Sequence, residues 1–352
     1  MNRKNICEIC TLIMGQSPDS KSYNKDKNGI PFYQGNADFG EKHPTPTVWC
    51  TAPKKIARKG DILISVRAPI GDMNIANEDC CIGRGLAAIR LNKSDIVDIN
   101  YLYHYLSATV EFLQEQGTGS TFKAINKTTL EGIEIPCPSI EKQKNIAKFI
   151  IEIKTSIQYK KAELVALNEL VKSRFIEMFG DPQNNNKQFP TKKLIDVVTL
   201  QRGHDLPVQN RDSHGSVPVY GSNGVLGFHT IAKCDRGIIT GRSGTIGEVY
   251  VSEEPFWPLN TTLYSNNTHG NNLIYLKYLL MFFNLKRFKS GAGVPTLNRN
   301  EFHGKEIMDV PIELQNDFAD FVKLIDKSKF IVQKQIDDLQ ELLDSKMDEY
   351  FG

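Results

Sequence analysis

The chain has 352 residues, 43 basic and 41 acidic, and 40% of it is hydrophobic. That length calls for two or more domains, and a net charge of +2 gives no compositional pointer to a nucleic-acid partner. No run approaches the ~18 consecutive apolar residues that span a bilayer, and the basic N-terminus lacks both an apolar core and a small-residue cleavage site, so the chain is read as cytoplasmic.

Seven scattered cysteines begin with a CxxC, Cys7 and Cys10, followed by Cys50, Cys80, Cys81, Cys137 and Cys234. No second ligand pair at zinc spacing follows, so Cys7 and Cys10 are expected as reduced, half-buried thiols on a first strand or turn. PKKIARKGDILISVRAP and GLAAIRLN are β-rich runs bounded by Gly, Pro and charge. NYLYHYLSATVEFLQEQ reads as a helix buried on one face. Residues 140–180 form one long helical pattern without Pro or Gly inside it, with Ser139 as N-cap and Gly180-Asp181-Pro182 as the stop. Segment 181–192 is the linker into a second block. There, DRGIITGRSG and GEVYVSEE are β-rich, NLIYLKYLLMFFNLKRF is helical, and 312–352 is a second long helix.

The chain is written twice. At an offset of 172, residues 140–180 fall on 312–352 without a gap, and 14 of 41 positions are identical, among them Gln143/Gln315, Phe149/Phe321 and Leu170/Leu342. Upstream the correspondence continues through Asn126/Asn298 and Gly132/Gly304. With loop-length drift it reaches Gly71/Gly247, Pro31/Pro218, Tyr33/Tyr220, Gly40/Gly227 and Gly15/Gly203. Each half is an α+β block followed by a helix of about 40 residues, roughly 60 Å at ~1.5 Å per residue.

Both helices carry an apolar seam stepping by fours and threes. In the first it is Ile146, Ile150, Ile153, Ile157, Leu164, Leu167 and Val171, reaching Met178. In the second it is Phe318, Val322, Ile325, Val332, Ile336, Leu339 and Leu343, reaching Tyr350. Lys160, Arg174, Lys329 and Lys346 interrupt the seams. Two such stripes in one chain can bury each other, and repeat symmetry favours an antiparallel pair; the alternative is that each helix packs on its own block. With ten acidic and five basic residues, 313–352 is not expected to lie on DNA.

Catalytic signatures are missing. There is no Pro-Pro or Asn-Pro pair for a base-flipping methyltransferase loop, no GxGxxG after a strand, no GxxxxGK[ST] and no HExxH. Three Gly-flanked polar loops recur in each half. They hold Arg67 against Arg242 and Ser243, Arg84 against Asn260, and Lys123, Asn126 and Lys127 against Asn298 and Arg299; Arg202 precedes Gly203. Arg can read guanine edges, Asn adenine edges, and Ser and Lys can hold phosphates. Asn126 and Asn298 stand at matching places, which favours a shared turn over base reading. Positions that differ, such as Arg84 versus Asn260 and Phe122-Lys123 versus Val294-Pro295, are the better specificity candidates.

The motifs GQSPDSKSYN, GIPFYQGNADFG, GDILISVRAPIG, GTGSTFKAIN and GIEIPCPSIEKQKNIA, with YGSNGVLG and IELQNDFADF in the second copy, run the full length in an order that resembles the specificity subunits of Type I restriction-modification systems. The resemblance implies two target recognition domains, 1–139 and 181–311, each binding one half of a bipartite DNA sequence. They would be joined by spacer helices 140–180 and 312–352 that form an antiparallel coiled coil with pseudo-twofold symmetry. It implies a non-catalytic subunit without metal or cofactor. Two modification subunits would bind S-adenosylmethionine, and motor-nuclease subunits would use ATP and Mg. The near-neutral charge points to modest DNA affinity for the chain alone. The other readings are a standalone DNA methyltransferase or nuclease and a non-DNA coiled-coil adaptor.

Overall fold

Capping and turn residues set where each element of this computed structural model begins; the structure describes residues 3–117, 123–212, 214–291 and 293–352. The chain divides into two units, residues 1–159 with 336–352, and residues 160–335.

The first unit opens with strand β1 (Arg3–Asn5) and a single helical turn, α1 (Ile6–Ile9). Asn5 and Glu8 cap that turn reciprocally: the Asn5 carboxamide oxygen accepts from the Cys7 amide at 3.0 Å, and the Glu8 carboxylate accepts from the Asn5 amide at 3.1 Å. Strands β2 (Cys10–Met14), β3 (Ile62–Ser65), β4 (Met73–Ile75) and β5 (Leu86–Leu91) form an antiparallel sheet in the order β2-β5-β3-β4. Asp98 then caps α2 (Ile99–Ala108), accepting from the Asn100 and Tyr101 amides at 3.0 Å. Helices α3 (Val110–Glu115) and α4 (Lys127–Glu131) follow, and β6 (Glu134–Pro136) pairs back onto β1. The long helix α5 covers Ile140–Phe179, with the Ser139 hydroxyl 3.4 Å from the Lys142 amide and Gly180 at φ 75° after its end.

The second unit repeats this plan. β7 (Thr191–Lys193) and α6 (Leu194–Val197) lead into β8 (Thr199–Arg202), β9 (Gly237–Gly241), β10 (Val249–Ser252) and β11 (Thr262–Asn267), again antiparallel, in the order β8-β11-β9-β10. Helices α7 (Leu273–Phe283) and α8 (Asn300–His303) follow, β12 (Glu306–Met308) pairs with β7, and α9 covers Ile312–Phe351. The glycines closing the turn after β3 and β9, Gly71 and Gly247, have φ of 98° and 96°, a left-handed conformation a side chain would strain.

In the second unit one core joins the sheet (Leu200, Ile238, Val249, Leu263) to α7 and to the long helices. Phe175 and Phe179 of α5 pack edge-on against Phe318 of α9 at 5.4 and 5.5 Å, and the Arg174 guanidinium lies over the Phe321 ring. The end of one long helix thus meets the start of the other. In the first unit Phe351, from the end of α9, packs against Tyr101 and Tyr105 at 5.4 and 5.7 Å.

Every seam residue is buried or half-buried. The four basic residues that interrupt the seams each reach a carboxylate three residues away: Lys160 to Glu163 (2.9 Å), Arg174 to Glu177 (2.9 Å), Lys329 to Asp326 (3.2 Å) and Lys346 to Glu349 (2.5 Å). All four are half-buried, as suits side chains with an apolar stem and a charged head at the edge of an apolar stripe.

Two expected helices are divided. The run at 100–116 breaks at Thr109, whose hydroxyl donates to the Leu106 carbonyl at 2.9 Å and competes with the helical ladder. The run at 272–288 ends at Asn284 in the left-handed region (φ 59°) and continues as a 3₁₀ turn that buries Leu285. The expected pair of half-buried thiols also divides: Cys7 is exposed on α1, whereas Cys10 is buried at the start of β2, where burial pushes its thiol up to about 12. No helix among the described residues is long and apolar enough to cross a membrane.

Candidate nucleic-acid interface

Backbone pairing sets the loop residues of the two units in correspondence. In the first unit the Val66 amide donates to the Gly85 carbonyl, and the Val66 carbonyl accepts from Ile125, both at 2.9 Å. In the second, Arg242 takes the place of Val66: its amide donates to Thr261 at 2.8 Å and its carbonyl accepts from Leu297 at 2.7 Å. Gly15 and Gly203 likewise donate to Leu86 and Thr262, the residues that open β5 and β11. Arg84 and Asn260 therefore occupy one position, as do Arg67 and Ser243, which bridge to Ala124 and Thr296.

Arg67, Arg84 and Lys123 are exposed in the first unit. Arg67 follows β3, where the Ser65 hydroxyl turns back onto the Arg67 carbonyl at 2.9 Å. Asn126 is the N-cap of α4, its side-chain oxygen accepting from the Thr129 amide at 2.9 Å. Lys127 pairs with Glu131 at 3.1 Å along the same short helix. Phe122 and Gly119 lie outside the described residues.

In the second unit Arg202, Arg242, Asn298 and Arg299 line one concave site of about 490 Å³, with Ser290, Thr296 and Asn300 beside them. The Arg242 Nε donates to the Asn260 carbonyl at 3.0 Å, and Arg299 reaches the Leu200 carbonyl at 3.3 Å. Asn260 donates its amide to Asp205, whose carboxylate is also 3.9 Å from Arg202. Asn298 accepts from the Asn300 amide at 3.1 Å. Thus Asn126 and Asn298 both order the chain entering a short helix, while the arginines face a shared concavity. His303, at the end of α8, accepts from the Leu200 amide at 3.2 Å; burial, then Arg299, holds its imidazole below the usual range. The sequence reading did not single out His303.

Residues 1–169 and 186–341 match the family model described as the Type I restriction modification DNA specificity domain. The chain belongs to that family, the non-catalytic DNA-recognition components of type I restriction-modification systems, and carries the domain twice. It is 49% identical over 152 residues to the putative type I restriction enzyme MjaX specificity subunit of Methanocaldococcus jannaschii, a match spanning 43% of this chain but only 36% of that subunit. To the type I restriction enzyme MjaIX specificity subunit of the same organism it is 25% identical, covering 97% of this chain and 90% of the relative. The crystal structure of a Type-I restriction-modification system S subunit from M. genitalium covers the whole chain, and 96% of its own, at a TM-score of 0.64 and 17% identity, which is a likeness of fold.

Proposed function

We propose that this chain is the cytoplasmic specificity subunit of a type I complex, in which each unit reads one half of a bipartite DNA target. The observation that carries this reading is the duplication itself. Two sheets share one strand order, and in both a basic or polar loop follows the second strand in chain order, β3 or its counterpart β9, bridged to a second loop before a short helix. A reader assembled twice suits a target written in two parts.

On this reading residues 1–139 and 181–311 are the recognition domains, and α5 with α9 forms an antiparallel coiled coil that acts as a spacer with pseudo-twofold symmetry. The Phe179–Phe318 and Tyr101–Phe351 contacts support opposed helix directions. Arg67, Arg84, Lys123 and Ser243 are loop residues for contact with bases or phosphates. Two modification subunits supply S-adenosylmethionine chemistry, and motor-nuclease subunits supply ATP- and Mg-dependent cleavage.

Deleting seven residues from the middle of each long helix keeps the seam in phase and shortens the rod by about 10 Å, or about three base pairs. The gap between half-sites in the methylated motif should contract accordingly; an unchanged gap contradicts the spacer. A labelled-cofactor assay on the isolated chain separates this reading from a standalone methyltransferase: no methyl group should reach DNA until a modification subunit is added.

A further inference from the structure

We infer that the concavity formed by Arg202, Arg242 and Arg299 is a clamp for a DNA backbone phosphate, and that none of its three arginines is repeated at the matching positions among the described residues of the first unit. This rests on the DNA-reading function proposed above and adds an inequality between the units: the three-arginine clamp belongs to the second, while the first presents Arg67, Arg84 and Lys123 from other loop positions.

The register of the two sheets supplies the comparison. Met14 pairs with Ala87 at the end of β2, as Arg202 pairs with Leu263 at the end of β8. Val66 occupies the place of Arg242 by its backbone bonds and is 3% exposed. Lys127 stands where Arg299 does, two residues beyond the Ile125 and Leu297 amides that close onto those carbonyls, and its charge is already matched by Glu131. Three guanidinium positions in one unit thus become a thioether, a buried isopropyl group and a paired ammonium in the other.

Three like charges around one concave site repel each other unless an anion enters. Among the described residues Arg242 and Arg299 form no ion pair, and Arg202 has only Asp205, at 3.9 Å. Carbonyls of Asn260 and Leu200 hold Arg242 and Arg299, so part of the ordering entropy is spent before a ligand arrives. Guanidinium forks match phosphate oxygens bidentately. A base edge offers at most two acceptors and calls for one such fork, whereas a phosphate can be approached by all three. Ser290, Thr296 and Asn298 add neutral partners at the wall.

The test is the salt dependence of binding of the full-length chain to a mixed-sequence duplex of about 30 base pairs, followed by fluorescence anisotropy between about 50 and 200 mM salt. Arg202→Ala, Arg242→Ala and Arg299→Ala should each weaken binding about tenfold and reduce the log–log slope, by about one in all for the single phosphate they share. Lys127→Ala in the first unit should leave the slope unchanged. Arg242→Lys should keep the slope while losing affinity, which a misfolded variant would not do. If the wild-type chain binds no duplex at any salt, the DNA-reading function falls and this inference with it. If it binds with a steep slope that all three alanine variants retain, the clamp alone is refuted. Thermal protection by inorganic phosphate that Arg242→Ala abolishes, with the DNA slope untouched, assigns the site to a free anion and overturns the backbone assignment.

Discussion

The carboxamide oxygen of Gln315 accepts a hydrogen bond from the backbone amide of Asn272 at 2.9 Å, tying the first turn of α9 to the residue that caps α7. Its amide group donates to the Val310 carbonyl at 2.8 Å and to the Asn271 side chain at 2.7 Å. Gln143 makes the matching set in the first unit, to the Asp98 amide and to the Ile96 and Pro138 carbonyls, each at 2.9 Å. Both side chains are fully buried. Truncation strands one donor and two acceptors away from water, so Gln143→Ala and Gln315→Ala should each cost about 3 kcal/mol, read from urea unfolding by far-UV circular dichroism. A cost below that of an ordinary surface change would show that the clamp does not hold the helix to its unit.

His104, on α2, is buried without a partner for its Nδ1 among the described residues, and burial, helped by Lys154, lowers its pKa from the usual 6.5 to about 4. The unfolded chain therefore takes up this proton before the folded one does. The stabilising contribution is whole above about pH 6.5, falls as pH drops toward about 4, and is flat below that, about 3 kcal/mol in all. His104→Gln should flatten this part of the profile of urea midpoint against pH; an unchanged profile would remove His104 as its source.

The seam makes a graded prediction. Ile150 and Ile336 are almost fully buried, whereas Phe330 on the outer face of α9 is 73% exposed. Ile150→Ala and Ile336→Ala should each cost about 2–5 kcal/mol, and Phe330→Ala should stay within about 0.5 kcal/mol. Equal effects on chemical denaturation would mean that the four-three pattern does not mark the packed face.

Asp61 is buried in the first unit and receives Arg90 Nη2 at 2.8 Å and the Arg58 amide at 2.8 Å. Asp61→Ala leaves the Arg90 guanidinium, itself largely covered, without its anion and should cost about 3 kcal/mol or more. The double variant Asp61→Ala, Arg90→Leu should recover part of that loss in calorimetry. No recovery would mean that the Arg58 turn, rather than the charge pair, sets the cost.

The long helices were legible because nothing interrupts their apolar period and Gly180 stops the first. The repeat was legible through residues that cannot vary freely, such as Gly71 and Gly247 in left-handed turns and Asn126 as a helix cap. Asn126 and Asn298 each accept a backbone amide at the start of a short helix. The basic concavity was not legible as a unit. Arg202, Arg242 and Arg299 are each a lone arginine in sequence, and only the β8-β11-β9 order and the Leu297–Arg242 bond bring them to one wall. Gln143 and Gln315 stood out as identities, yet their clamping role needs the caps of α2 and α7, far away along the chain. The breaks at Thr109 and Asn284 were hidden because both lie in otherwise continuous apolar patterns.

The division of labour between the two units is tested most directly by exchanging residues 1–139 for the equivalent block of another specificity subunit and sequencing the methylated motifs of the host by long-read methods. One half of the motif should change while the other half and the gap persist. A motif altered in both halves, or in neither, would contradict two independent readers in one chain.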